Sequence, residues 1–276
     1  MTNDAIIPPL HTYLIQTDLA WENPKANRLR WEWHLKQIPS KSLVVLPEMA
    51  STGFTMQPHL HAEFADSDTL KWLKDKSDDI CICLSLSFNE DGKYFNRFLA
   101  ISNGEVICQY DKKHLFSYAK EDQHYESGNQ TSFFMYQGWK IVPMVCFDLR
   151  FPAWIRKAFL QSDSNNSSDV NVGVNSVPEV LLVVANWPQA RMLAWDTLLK
   201  ARSIENQCYT VAVNRVGIDG NGIKHVGRSQ VVSFDGEYLL SPFERESLAQ
   251  VTLEHKPILN FRERFPFLVE ADFNLF

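Results

Sequence analysis

The chain has 276 residues, a formal net charge of −6, 45% apolar and 12% aromatic residues, enough for one large domain with a substantial core. Eight Trp and eighteen Phe exclude a disordered chain, and the acidic balance, without a run of five or more Lys or Arg, argues against nucleic acid as a partner. No apolar stretch reaches the length of a membrane span and the N-terminal "MTNDAIIPPLHTYLIQ" lacks a signal-peptide layout, so no membrane association and a cytoplasmic location are expected.

The first predicted strand is "LHTYLIQ", followed by a helix that Asn23 caps and Pro24 opens, running to about Gln37. "SLVVL" is the next strand and Asp66 to Lys76 the next helix. Strands "ICICLSLSF", "YFNRFLAI" and "EVICQY" follow, joined by turns at Asn89 to Gly92 and at Asn103-Gly104. After strand "KIVPMVC", a helix from Pro152 puts Trp154, Ile155, Ala158 and Phe159 on one face. The Ser/Asn/Asp-rich stretch 161–176 buries little and reads as a mobile surface insertion. Strand "EVLLVVA", a helix from about Ala190 to Asn206, and strands "CYTVAVNRV", "SQVVSF" and, past Asp235-Gly236, "YLL" complete the pattern. Hairpins mixed with crossovers indicate an α+β or mixed α/β class, and so many strands are best buried as two stacked sheets with helices outside. No interdomain linker and no strong internal repeat are visible, so residues 1–276 are expected to form a single domain.

Four polar residues sit at or just past predicted strand ends: Glu48, Lys112, Cys146 and Asn186. Open α/β sheets place ligand-contacting groups there. A thiol is only a few per cent ionised at pH 7, so a nucleophilic Cys146 needs a base and a cation, which Glu48 and Lys112 could supply. Lys112 and the backbone N–H of Phe147 could also hold an oxyanion. Each residue alone has an ordinary structural explanation: an inert buried thiol, a solvated charge, half of a surface ion pair. Five cysteines, an odd number set mostly in apolar runs, are distributed like reduced thiols. Cys81-Ile-Cys83 and His59-Leu-His61 lack partners at zinc-like spacing, and neither a P-loop nor a dinucleotide fingerprint occurs, so neither a metal nor a cofactor is expected.

"VVLPEMASTGF", "YDKKHLF" and "VCFDLRFP", in that order, resemble the three catalytic motifs of the nitrilase, or carbon-nitrogen hydrolase, superfamily. The resemblance implies a Glu48-Lys112-Cys146 triad; its aromatic-x-Lys-x-His pattern falls on Tyr110, Lys112 and His114, which sets Lys113 aside as the catalytic lysine. It also implies an auxiliary glutamate at a fixed distance before the Ser127-Gly128 turn, which is Glu121 and not Glu126. Over nearly the whole chain, including "EDQHYESGN", "VANWPQAR" and "ARSIENQCYTVAVNRVG", the sequence is most similar to the omega-amidase-like branch, acting on amides of 2-oxo dicarboxylic acids. The implied fold is a four-layer αββα sandwich that pairs into homodimers. The implied reaction hydrolyses 2-oxoglutaramate or 2-oxosuccinamate through a cysteine thioester.

Three positions depart from that branch: Ala50 replaces a usual aromatic and could open one side of the pocket, Phe147 replaces a usual Tyr, and the 161–176 insertion is longer than the family connection. Arg150, Arg191 and Lys113 are candidate anchors for a substrate carboxylate, with Asn186 a further contact. Arg202 and Glu205 could pair behind the site. A nitrile, an N-carbamoyl amino acid or another small amide could use the same triad. A non-catalytic binding scaffold and a papain-like peptidase are the readings from other classes; the latter requires a histidine base and a Cys-Gly-x-Cys-Trp pattern, which the chain lacks.

Overall fold

The computed structural model describes residues 7–161 and 177–270. The strands are β1 (Leu10–Gln16), β2 (Leu43–Val45), β3 (Cys81–Glu90), β4 (Lys93–Ser102), β5 (Glu105–Asp111), β6 (Phe134–Tyr136) and β7 (Trp139–Val145) in the first half. The second half holds β8 (Val180–Ala185), β9 (Tyr209–Asn214), β10 (Val216–Ile218), β11 (Lys224–Val226), β12 (Ser229–Val232), β13 (Tyr238–Phe243) and β14 (Ser247–Leu253). The α-helices are α1 (Pro24–Leu35), α2 (Pro58–His61), α3 (Asp68–Lys76), α4 (Pro152–Gln161), α5 (Met192–Asn206) and α6 (His255–Arg264).

Local chemistry accounts for the element ends. The Asn23 side chain accepts the Ala26 N–H at 3.1 Å and Pro24 starts α1, while Ser67 accepts from Leu70 N at the head of α3. Asp91-Gly92 joins β3 to β4, and Asn103-Gly104 joins β4 to β5. All four residues have positive φ, as the two-residue turn that matches strand twist requires.

Two six-stranded sheets result, ordered β14-β1-β2-β3-β4-β5 and β13-β12-β9-β8-β7-β6, beside the small β10-β11 hairpin. Alternation along β2 sorts the layers. Leu43 and Val45 enter the core shared by the two sheets; Val44 faces outward with Leu46, beneath Trp31 of α1 and Leu70 and Leu73 of α3. On the other side Ile155 and Phe159 of α4 and Trp195 and Leu199 of α5 pack against the second sheet. The mixed α/β class and the expected αββα layering are thus present.

Taken from β14 and from β6, both sheets show one succession of pairings: antiparallel, parallel, parallel, antiparallel, antiparallel. The fold therefore carries a repeat that the sequence does not display. What recurs is strand direction with helices over the parallel strands, and many apolar sequences satisfy that. The 161–176 insertion lies, apart from Gln161, outside the described residues. Among the described residues no helix is long and apolar enough to cross a membrane.

Candidate active site

Glu48, three residues past β2, and Asn186, one past β8, bring the two sheets together. The Asn186 N–H donates to Glu48 Oε2 at 2.8 Å and its Nδ2 to the Glu48 carbonyl at 2.6 Å. Lys112, just past β5, reaches the same carboxylate from the side. Its Nζ lies 2.8 Å from Glu48 Oε1 and 3.0 and 2.8 Å from the two oxygens of Glu121. All three side chains are fully buried. Asn96 of β4, which the sequence reading passed over, donates Nδ2 to Glu48 at 2.8 Å and to Glu121 at 2.9 Å, and Ser85 fixes its orientation by donating to Oδ1 at 2.8 Å.

Burial alone would strip the proton from Lys112, but Glu121, Glu48 and Cys146 outweigh it and hold the ammonium above its usual range. Glu121 is raised: burial favours the neutral acid, and Lys112 only partly opposes that. The Phe116 N–H donates to Glu121 Oε2 at 2.6 Å, so this carboxylate also closes the loop that carries it. Gly128 lets that loop return. A Cβ there would lie 2.1 Å from the Asp111 carbonyl oxygen, where the Gly128 N–H donates to Lys112 O at 3.0 Å.

Strand β7 stops at Val145, and Cys146 opens a 3-10 turn, Cys146–Arg150, with a φ of +47° that is uncommon away from glycine. Asp148 anchors this turn: it accepts Tyr110 OH at 2.7 Å and the His114 N–H at 2.9 Å, and pairs with His114 Nδ1 at 2.8 Å. The aromatic-x-Lys-x-His spacing thereby gains a cause, since the flanking residues grip the Cys146 turn while Lys112 points to the carboxylates. Behind it Arg202 donates to the Leu149 carbonyl at 3.0 and 2.9 Å and pairs with Glu205 at 3.2 Å. The Cys146 thiol is held well above its usual range, first by burial and then by Glu48, with Lys112 pulling the other way.

Cys146 and Asn186 open onto a cavity of about 320 Å³ walled by Phe54, Phe147 and Trp187. Arg150 stacks 5.2 Å from the Trp187 ring, and Arg191 lies 5.0 Å from Phe116; both line the cavity, and neither has a carboxylate partner among the described residues. Two expectations require correction. Lys113 does not line the cavity: neighbouring residues of an extended chain point to opposite sides, and its Nζ sits 5.6 Å from the Trp154 ring. Ala50 opens nothing either, because it is fully buried in the apolar layer between the first sheet and its helices. The β10-β11 hairpin, missed in the sequence, brings Asp219 and His225 to the cavity wall. Burial, then Arg215, lowers His225 to about 4, so its ring is neutral at pH 7. The Asp and His flanking "GNGIK" were the available signal.

A mixed α/β sandwich that gathers a thiol, a carboxylate and an ammonium at strand ends, with a second carboxylate from a short 3-10 turn beside them, fits the class of the hydrolases. The carbon-nitrogen hydrolase family model matches residues 14–257, and the chain belongs to that family. It is 35% identical over 269 residues to omega-amidase YafV of Escherichia coli (strain K12), covering 96% of this chain and 98% of that one. It is 28% identical over 260 residues to 2-oxoglutaramate amidase of Bacillus subtilis (strain 168), covering 91% and 93%. The crystal structure of XC1258 from Xanthomonas campestris, a CN-hydrolase superfamily protein with an arsenic adduct in its active site, superimposes with a TM-score of 0.89 at 33% identity, covering 98% of this chain and 99% of that one.

Proposed function

We propose that this protein is an omega-amidase, hydrolysing the terminal amide of 2-oxoglutaramate or 2-oxosuccinamate to ammonia and the 2-oxo dicarboxylate. The observation that carries this reading is a buried Lys112 between Glu48 and Glu121, set behind a thiol that opens onto a cavity bearing two arginines without carboxylate partners among the described residues. Such arginines suit a substrate whose far end is a carboxylate.

Glu48 takes the thiol proton as sulfur bonds to the amide carbon; the carbonyl electron pair moves to oxygen, facing Lys112 and the Phe147 N–H. The C–N bond breaks as Glu48 returns that proton to nitrogen, and ammonia leaves a thioester. Water then attacks the thioester carbon, giving Glu48 a proton. The C–S bond breaks, the proton passes to sulfur, and the acid departs. Glu121 takes no proton in this sequence; it holds the ammonium in place.

The test is ammonia release from 2-oxoglutaramate by the wild type and by Cys146→Ala, with succinamate, a simple nitrile and an N-carbamoyl amino acid in parallel. Release from the 2-oxo amide that vanishes in the variant is expected. Preference for the nitrile or the carbamoyl compound overturns the substrate assignment, and turnover that survives in Cys146→Ala overturns the nucleophile. The same reading places the protein in the cytoplasm as a homodimer. The exposed Leu193 and Ile204 of α5 give the outer helical layer an apolar surface on which a second copy could add further layers. Light scattering should return twice the 31.8 kDa chain mass, and a monomer mass at micromolar concentration would exclude the pairing.

A further inference from the structure

Asn186 spends its main-chain N–H and its side-chain Nδ2 on one neighbour: both donate to Glu48, to the carboxylate and to the carbonyl oxygen. The side-chain Oδ1 is buried and without a partner among the described residues, although Asn186 lines the cavity beside Cys146. A buried acceptor left unpaired is unfavourable, so the fold would be expected to relieve it, and two features prevent that. Exchanging Oδ1 and Nδ2 would set two acceptors face to face at 2.6 Å from the Glu48 carbonyl. Shifting the backbone is blocked one residue later, where the Trp187 N–H donates to Asn214 Oδ1 at 2.7 Å and Asn214 Nδ2 returns to Trp187 O at 3.0 Å. The acceptor is therefore held in place on a residue of the cavity wall, where a bound substrate can supply the donor it lacks.

We infer that Asn186 Oδ1 accepts an N–H of the scissile amide and makes the site selective for primary amides over esters of the same acid. The inference rests on the amidase reading above. With the substrate carbonyl oxygen facing Lys112, the planar amide turns its nitrogen away from the ammonium. That nitrogen carries two N–H groups, one for the Glu48 carboxylate and one for Asn186 Oδ1. An ester puts an oxygen without hydrogen at the same place, so the acceptor stays unpaired and meets a second lone pair. After ammonia leaves, water offers the same two donors, and Asn186 serves both halves of the reaction.

Succinamate and monomethyl succinate yield the same acid and differ only in the leaving group, which makes them the probes. Their kcat/KM values are compared in the wild type, Asn186→Ala and the isosteric Asn186→Leu. Their dissociation constants are measured in the Cys146→Ala background with and without the Asn186 change. The expected result is an amide-over-ester preference that falls about 10- to 100-fold in both readouts when Oδ1 is removed. If Asn186 merely seats Glu48, turnover drops but the ratio of dissociation constants stays unchanged, and the inference is overturned. The binding arm needs no turnover, so it judges the inference even if the amidase reading itself fails. Both substitutions keep the main-chain N–H that holds the Glu48 carboxylate and both remove the Nδ2 bond to the Glu48 carbonyl, a shared loss that lowers turnover of amide and ester alike and cancels in their ratio.

Discussion

Glu48 and Lys112 act on the Cys146 thiol in opposite senses, and this separates reactivity toward alkylating agents from catalysis. Glu48 raises the thiol's pKa and Lys112 lowers it, so Glu48→Gln should bring the thiol down and speed its alkylation by iodoacetamide at pH 8. Amide turnover should fall by about 10²- to 10⁴-fold in the same variant, because the proton acceptor has gone. Slower alkylation in Glu48→Gln would contradict this division of labour. Glu121 gives a second sign to check. Its folded pKa lies above the unfolded value, so its stabilising form is the protonated one, complete below the unfolded pKa and lost as pH rises through the raised value. Glu121→Gln removes that pH dependence but leaves the buried Lys112 ammonium with Glu48 as its carboxylate partner among the described residues, so the melting temperature should fall at pH 8. The variant should also slow turnover, since Lys112 loses two of its three contacts with carboxylate oxygens. An unchanged melting point at pH 8 would contradict the dependence of the ammonium on Glu121. The strand-end positions of Glu48, Lys112 and Cys146 were legible in the sequence, and resemblance added Glu121. Asn96 and Asp148 were not legible: a mid-strand Asn and an Asp after a Cys-Phe pair acquire their partners only when distant strands meet.

At the scale of elements, ten strands and four helices were readable because their apolar runs end at strong turn or cap residues. The exceptions have separate causes. Strand β14 is an edge strand, half-exposed along most of its length, so "SLAQVTL" lacks the continuous apolar run that marked the others. Helix α6 has Pro257 in its first turn, where proline is tolerated although it reads as a breaker. Strands β6, β10 and β11 are three residues long, too short to show a period. The β10-β11 omission mattered most, since that hairpin supplies Asp219 and His225 to the cavity. Arg202, by contrast, is legible in the sequence as a residue behind the site, and its grip on the Leu149 carbonyl shows how a helix interior can steady the Cys146 turn without touching the thiol.

For the whole molecule, composition and strand spacing pointed to two stacked sheets, while the matched succession of strand directions stayed hidden because direction leaves no residue signature. Its placement of Glu48 and Asn186 is symmetric: each follows the strand that is parallel to both of its neighbours in its own sheet. The hydrogen bonds between these two residues cross from one sheet to the other. A catalytic assembly divided in this way exists only while both sheets stay pressed together, so denaturant should offer no folded state that has merely lost its activity. In a urea titration, tryptophan fluorescence and amide turnover should decline along one curve with one midpoint. A separate, earlier loss of turnover would mean that the two halves can part before either unfolds.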